Sequence, residues 1–232
     1  MNRAIIIILS IVVLLLSDAG CTSTTYEDGG WKIYSERMID SYIDADSMQF
    51  HICPPSPILK IDYKTGRWLD EAEVDILTDK YNDKYWNRYI NIGPTALDRT
   101  SCYSNEFIGI TVISDTDYNS IPAGQPLDPI VRIMATSPYR WLSSQGKLTY
   151  DWASAPTDYS LVLEHSPQIV YGELFPVYKC IQDLVPSDML LLNRHSLYLL
   201  FTETPAIKEH NLKITFKDPH KDIVAEGAVT FK

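Results

Sequence analysis

Cys21 is the residue whose surroundings most clearly specify a reaction. It follows Ala19-Gly20, and ahead of that pair lies an apolar run from Ala4 to Leu16, broken only by Ser10 and preceded by Arg3. One cation, a short apolar core and small residues before a cysteine form a lipoprotein export signal. In that signal the thiol takes up a diacylglycerol and the new α-amine is acylated, with palmitate a typical chain. Asp18 stands where the pattern usually carries an aliphatic residue. Ala4 to Leu16 would cover only ~20 Å as a helix, short of the roughly 30 Å hydrocarbon core of a bilayer. The reading is therefore a cleaved signal peptide over 1–20 and a lipid anchor at Cys21. One acyl chain holds a protein marginally, whereas two or three hold it stably.

Tryptophans are the next candidates. Trp141 and Trp152 flank the polar stretch Ser143-Ser-Gln-Gly-Lys147, and Trp68 follows Lys64-Thr-Gly-Arg67. An indole exposed at a loop can stack against a pyranose ring, so Trp141 and Trp152 are the predicted ligand-binding residues. Asp115-Thr-Asp117-Tyr-Asn119 imitates the first half of a calcium loop, but Ser120 and Pro126 occupy the positions that need Gly and Glu. Asx residues closing turns account for it better, so no metal site is expected. Acid pairs such as Asp70 and Glu71 could serve glycoside hydrolysis only if two carboxyls faced each other across a sugar. The five histidines are scattered, and the chain lacks a phosphate loop, a G-x-S-x-G and an H-E-x-x-H. No catalytic residue and no cofactor follow from these patterns.

With 20 basic and 30 acidic residues the net charge is −10, and no basic stripe interrupts the acidity. Nucleic acid is excluded as a partner on that ground. Past Cys21 the cysteines are Cys53, Cys102 and Cys180, an odd number that allows one bridge at most. Their pairing stays open, with free buried thiols the simplest expectation. No second apolar stretch approaches membrane length, so the rest of the chain is expected to be water-soluble.

The elements that must position these residues read mostly as strands. Residues 21–30 form a polar stretch expected to be a flexible tether, followed by one mostly-β domain over 31–232 with a possible subdivision near 104. Ile58 to Tyr63 predicts a strand, Lys64 to Arg67 a turn, and Asp70 opens a capping box with Glu73. Val74, Leu77, Tyr81 and Tyr85 then share one face of a helix running to about Tyr89. Further strands are predicted at Phe107 to Ile113, Pro129 to Ala135 and Ser160 to Leu163. Met189 to Leu192 and Ser196 to Phe201 flank Asn193-Arg-His195 as a possible hairpin. Leu212, Ile214 and Phe216 alternate with Lys213, Thr215 and Lys217, and Ile223 to Phe231 forms a last strand beyond Asp218-Pro-His-Lys221. Such alternation predicts an antiparallel β-sandwich with one helix in the N-terminal half, mainly β and α+β overall.

Two stretches, Ile110-Thr-Val-Ile-Ser-Asp-Thr-Asp-Tyr-Asn-Ser-Ile-Pro-Ala-Gly-Gln-Pro-Leu-Asp128 and Tyr198-Leu-Leu-Phe-Thr-Glu-Thr-Pro with His210-Asn-Leu-Lys-Ile-Thr-Phe-Lys-Asp218, are similar to segments of a family of uncharacterised Bacteroidota lipoproteins. The resemblance implies an immunoglobulin-like β domain with no assigned activity and no site residues. The expected protein is an outer-membrane lipoprotein, on the surface or the periplasmic face, that binds a glycan, a host component or an envelope protein. A glycan-processing hydrolase or esterase, or a structural subunit of a surface assembly, are the alternatives.

Overall fold

A computed structural model of the chain describes residues 24–27, 30–35, 37–53, 57–84, 88–92, 100–151 and 174–232. Cys21 and the whole of 1–20 lie outside them, as do Trp152 and the strand expected at 160–163. No helix among the described residues is long and apolar enough to cross a membrane.

The chain is mainly β. Its strands are β1 (Thr24–Glu27), β2 (Gly30–Ser35), β3 (Ser41–Cys53), β4 (Ile58–Trp68), β5 (Arg88–Ile92), β6 (Ser101–Tyr103), β7 (Gly109–Ser114), β8 (Val131–Ser137), β9 (Phe175–Cys180), β10 (Leu197–Phe201), β11 (Glu209–Lys217) and β12 (Ile223–Thr230). Two α-helices are described, α1 (Glu71–Tyr81) and α2 (Tyr139–Ser143). A six-stranded sheet has the order β6-β3-β4-β10-β8-β9, and three-stranded sheets have the orders β12-β11-β7 and β1-β2-β5. All pairings are antiparallel except β3 with β6.

The six-stranded sheet is covered on both faces. On one side Ile43, Leu59, Ile133 and Leu199 share a core with Val112, Ile214 and Ala225 of the β12-β11-β7 sheet. On the other, Tyr42, Ile58, Met134 and Tyr198 pack with Val74 and Tyr81 of α1 and Trp141 and Leu142 of α2. Alternate residues of one strand thus serve two different cores, which is why β10 reads as the continuous apolar run Leu-Tyr-Leu-Leu-Phe. The β12-β11-β7 sheet buries one face only. Along β11 the exposed and buried residues alternate, as expected from its sequence.

Helix α1 begins as predicted. The Asp70 side chain accepts from Glu73 N at 3.0 Å and Glu73 Oε2 from Asp70 N at 3.1 Å, an arrangement worth ~1 kcal/mol. It ends at Tyr81 rather than near Tyr89, because Asn82 takes a left-handed conformation (φ 55°) and its N–H turns back to the carbonyls of Thr78 and Asp79. The chain returns as a strand at Arg88.

Two other expectations are corrected. Lys64 to Arg67 is not a turn: β4 continues to Trp68 opposite β3, with Ala45 paired to Gly66 and Ile43 to Trp68. Met189 to Leu192 is not a hairpin arm, since Leu191 has φ 54° and β10 pairs with β4 and β8 instead. Within the stretch expected as a tether, Thr24–Glu27 pairs antiparallel with Gly30–Ser35.

Candidate functional site

Strand β9 and the start of α2 frame a hollow of about 470 Å³, within the size range of small-ligand sites. Tyr139, Tyr150, Phe175 and Tyr178 give it four aromatic rings, and Arg140, Lys179, Asp188 and Ser187 add polar groups. Its geometry is set locally. Ser137 Oγ donates to Leu190 O at 2.8 Å and accepts from Tyr139 N at 3.0 Å, which fixes where the chain leaves β8 for α2. Tyr139 meets Tyr81 of α1 edge-on, the centroids 6.3 Å apart, and Tyr150 leans on Phe175 at 6.0 Å. The Arg140 guanidinium lies 4.9 Å from the centre of the Phe175 ring. Lys179 Nζ donates to Asp188 Oδ2 at 2.7 Å, and the same oxygen accepts from Val185 N at 3.1 Å. Flat aromatic faces beside hydroxyls and charged forks suit a ring-shaped polar ligand.

Trp141 directly follows Tyr139 and Arg140, which line this hollow, but does not line it. It is only 7 % exposed and packs in the core between the sheet and the helices. The indole packs α2 against the core, while Tyr139 and Arg140 line the hollow. Trp152 lies outside the described residues. β9 was not among the expected strands, and Pro176 within it counts against a strand. Pro176 is accommodated at a terminal strand of the described sheet, where a missing N–H is tolerated.

A second cluster joins aromatic rings and a cation. Trp68, 46 % exposed, meets Tyr63 edge-on at 6.4 Å, and the Arg194 guanidinium lies 4.9 Å from the Trp68 ring and 5.8 Å from that of Tyr63. Arg194 Nε donates to His195 Nε2 at 3.1 Å. Burial, helped by Arg194 and Lys60, pushes the His195 imidazole down to about 4, with Asp62 opposing. The ring is neutral at neutral pH, and Nε2 is the acceptor.

A folded-state value below the ordinary 6.5 means that the unfolded chain takes up a proton the folded chain refuses. Stability from this group is intact above about 6.5 and is lost as pH falls toward about 4. Changing His195→Gln should shrink the drop in urea midpoint between pH 7 and pH 5. An unchanged drop would show that His195 does not carry it.

Other candidates resolve into structure. Asp115 accepts from Asn211 N at 2.9 Å and from Asn211 Nδ2 at 2.7 Å, Asp117 from Ala123 N at 2.8 Å, and Asn119 Oδ1 from Ala206 N at 2.9 Å. These oxygens close separate turns and tie loops together rather than converging. Among the described residues no three His, Cys, Asp or Glu side chains are grouped to hold a metal ion.

Ser114 and His210 are 2.8 Å apart, a nucleophile–base distance, but the His210 Nε2 contact with Ile207 O at 2.8 Å identifies that nitrogen as the donor. Nδ1 then accepts from the Ser114 hydroxyl. Ser114 is 1 % exposed, and the imidazole is packed against Tyr118 and Phe231. The pair is a core hydrogen bond. Cys53, Cys102 and Cys180 are free thiols, and only Cys102 is fully buried.

Comparison with known families, with curated proteins and with solved structures gives no match.

Proposed function

We propose that this chain is a lipid-anchored protein of the bacterial envelope that acts by binding a saccharide. The observation that carries the binding half is the hollow beside β9, where the partly exposed Tyr139, Tyr150 and Tyr178 and the buried Phe175 stand next to Arg140, Lys179 and Ser187. Rings of this kind stack on the apolar faces of sugars while hydroxyls and charged groups read the substituents. The anchoring half rests on the apolar run ending in Ala19-Gly20-Cys21. In this reading the two packed sheets are an immunoglobulin-like sandwich, related to the Bacteroidota lipoproteins that two of its segments resemble. It holds its ligand at the outer membrane, and conversion of that ligand is left to other proteins.

The test has two arms. Cells are fed a palmitate analogue and shaved with protease. Wild type should carry the label and Cys21→Ala should not; equal labelling of both would overturn the anchor. The purified protein is then applied to an array of bacterial and host glycans. Binding without turnover is expected, weakened about tenfold or more in Tyr178→Ala, which removes one ring from the hollow. Failure to bind any glycan on the array would overturn the saccharide reading, and turnover of a bound glycan would replace binding with catalysis.

A further inference from the structure

The cations and anions of the hollow are not balanced. Arg140 and Lys179 face one carboxylate, Asp188. That carboxylate is committed: Lys179 Nζ lies 2.7 Å from its Oδ2, which also accepts from Val185 N. Lys179 is thereby neutralised and Arg140 is not. Its charged contact among the described residues is the face of Phe175, 4.9 Å from the guanidinium carbon, and no described carboxylate pairs with it. In a chain of net charge −10, Arg140 thus stands, among the described residues, without a carboxylate partner in a hollow lined by aromatic side chains.

Stacking on a ring holds the plane of a guanidinium while leaving its edge N–H groups to donate. A carboxylate is the group that such a fork receives best, through two parallel hydrogen bonds.

We propose that the hollow takes acidic saccharides, with Arg140 receiving a sugar carboxylate while the tyrosines hold the ring. This inference rests on the saccharide reading and narrows it to a substrate class. Arg140 sets specificity in it, whereas the aromatic side chains supply binding common to charged and neutral sugars. The surrounding negative charge opposes any acidic ligand at long range. Affinity for a charged sugar is therefore the resultant of a local attraction and a general repulsion, and adding salt relieves the repulsion first. For that reason the discriminating comparison uses the same ring with and without its charge rather than a salt titration.

The experiment measures binding of tri-galacturonate and of its methyl ester to the full chain in detergent, with Arg140→Gln and Tyr178→Ala alongside, each checked for folding by its unfolding midpoint. Wild type should prefer the acid by about tenfold or more, the range expected for hydrogen bonds to a charged group. Arg140→Gln should remove the preference, so that acid and ester bind alike. Tyr178→Ala should weaken both and preserve the preference.

Equal binding of acid and ester by wild type, or a preference that survives Arg140→Gln, would overturn the assignment to Arg140 while leaving the saccharide reading in place. If neither probe binds, the same comparison is made with the acidic and neutral members of the glycan array. Binding confined to neutral members overturns this inference alone. Binding to none overturns both readings.

Discussion

Replacing Gly66 by alanine is expected to cost about 1–3 kcal/mol, the range for forcing extra atoms into a filled site. A Cβ at this position would clash with Asp44 O and stand 3.0 Å from Ala45 Cα, both backbone atoms of the neighbouring strand. No side chain can rotate away to make room. Relief requires β3 and β4 to separate where Ala45 pairs with Gly66, beside the register shift between Ala45 and Met48. Gly227 on β12 is the control: a Cβ there would meet the Phe50 ring at 3.5 Å, an ordinary contact.

Urea unfolding should show a lower midpoint for Gly66→Ala and little change for Gly227→Ala. Equal midpoints would mean that the close approach is not rigid. The effect would reach the Trp68–Arg194 cluster, because Trp68 extends beyond Gly66 on the same strand and is held opposite Ile43. Indole fluorescence should shift along with stability.

Gly66 also shows why parts of the fold were hidden in the sequence. A glycine after Lys64-Thr65 reads as a turn, yet here it marks a close backbone approach within a strand. Opposite it, β3 carries Ile43 and Ala45 on one face and then Met48 and, further along, Phe50 on that same face, because the bulge near Asp46 and Ser47 resets the alternation. A period of two that changes phase halfway is not recognisable as one strand. The central strands of the six-stranded sheet alternate between two cores rather than between core and water, so their polarity pattern is flat.

Where one face is wet the pattern survives. In the β11–β12 hairpin the inward Leu212, Ile214 and Phe216 were legible, although β11 starts earlier, at Glu209, and β12 ends at Thr230 rather than Phe231. The N-terminus of α1 was legible because a capping box is a local rule, whereas its end depended on the backbone angle of Asn82. The site was half legible. Tryptophan drew attention to this segment, but the Trp141 indole packs in the core, and Tyr139 and Arg140 before it line the hollow. Nothing local in the sequence could bring Tyr139 and Phe175 to one hollow, since that depends on how β8 and β9 pair.

Removal of the Asp83 carboxylate should have the largest effect of any single change. Asp83 is fully buried, 0 % exposed, just past the end of α1. Its two oxygens accept from consecutive backbone amides, Met38 N at 2.6 Å and Ile39 N at 2.9 Å. The next residue along, Asp40, exchanges hydrogen bonds with Thr100 through its own N–H at 2.9 Å and its carboxylate at 2.8 Å. One buried carboxylate therefore joins the end of α1 to the segment that enters β3, and that segment in turn reaches β6.

Asp83→Ala strands two buried N–H groups at ~1–3 kcal/mol each, so a total of roughly 2–6 kcal/mol is expected. Asp83→Asn keeps one acceptor and sets an amide donor against the other N–H, so it should also lose stability, but less. Asp79→Ala, on the exposed side of the same helix, should stay within about 0.5 kcal/mol of wild type. Hydrogen exchange at Met38 and Ile39 should accelerate in both Asp83 variants. An Asp83→Ala chain as stable as wild type, with those amides still protected, would show that the carboxylate is not the tie.

The consequence extends to binding. Tyr81, in the last turn of α1, supports Tyr139 edge-on at one wall of the hollow. A helix end released from Met38 and Ile39 leaves that wall without its backing. Asp83→Asn, if it remains folded, should therefore bind saccharide less tightly although its nearest ligand-facing ring belongs to another element.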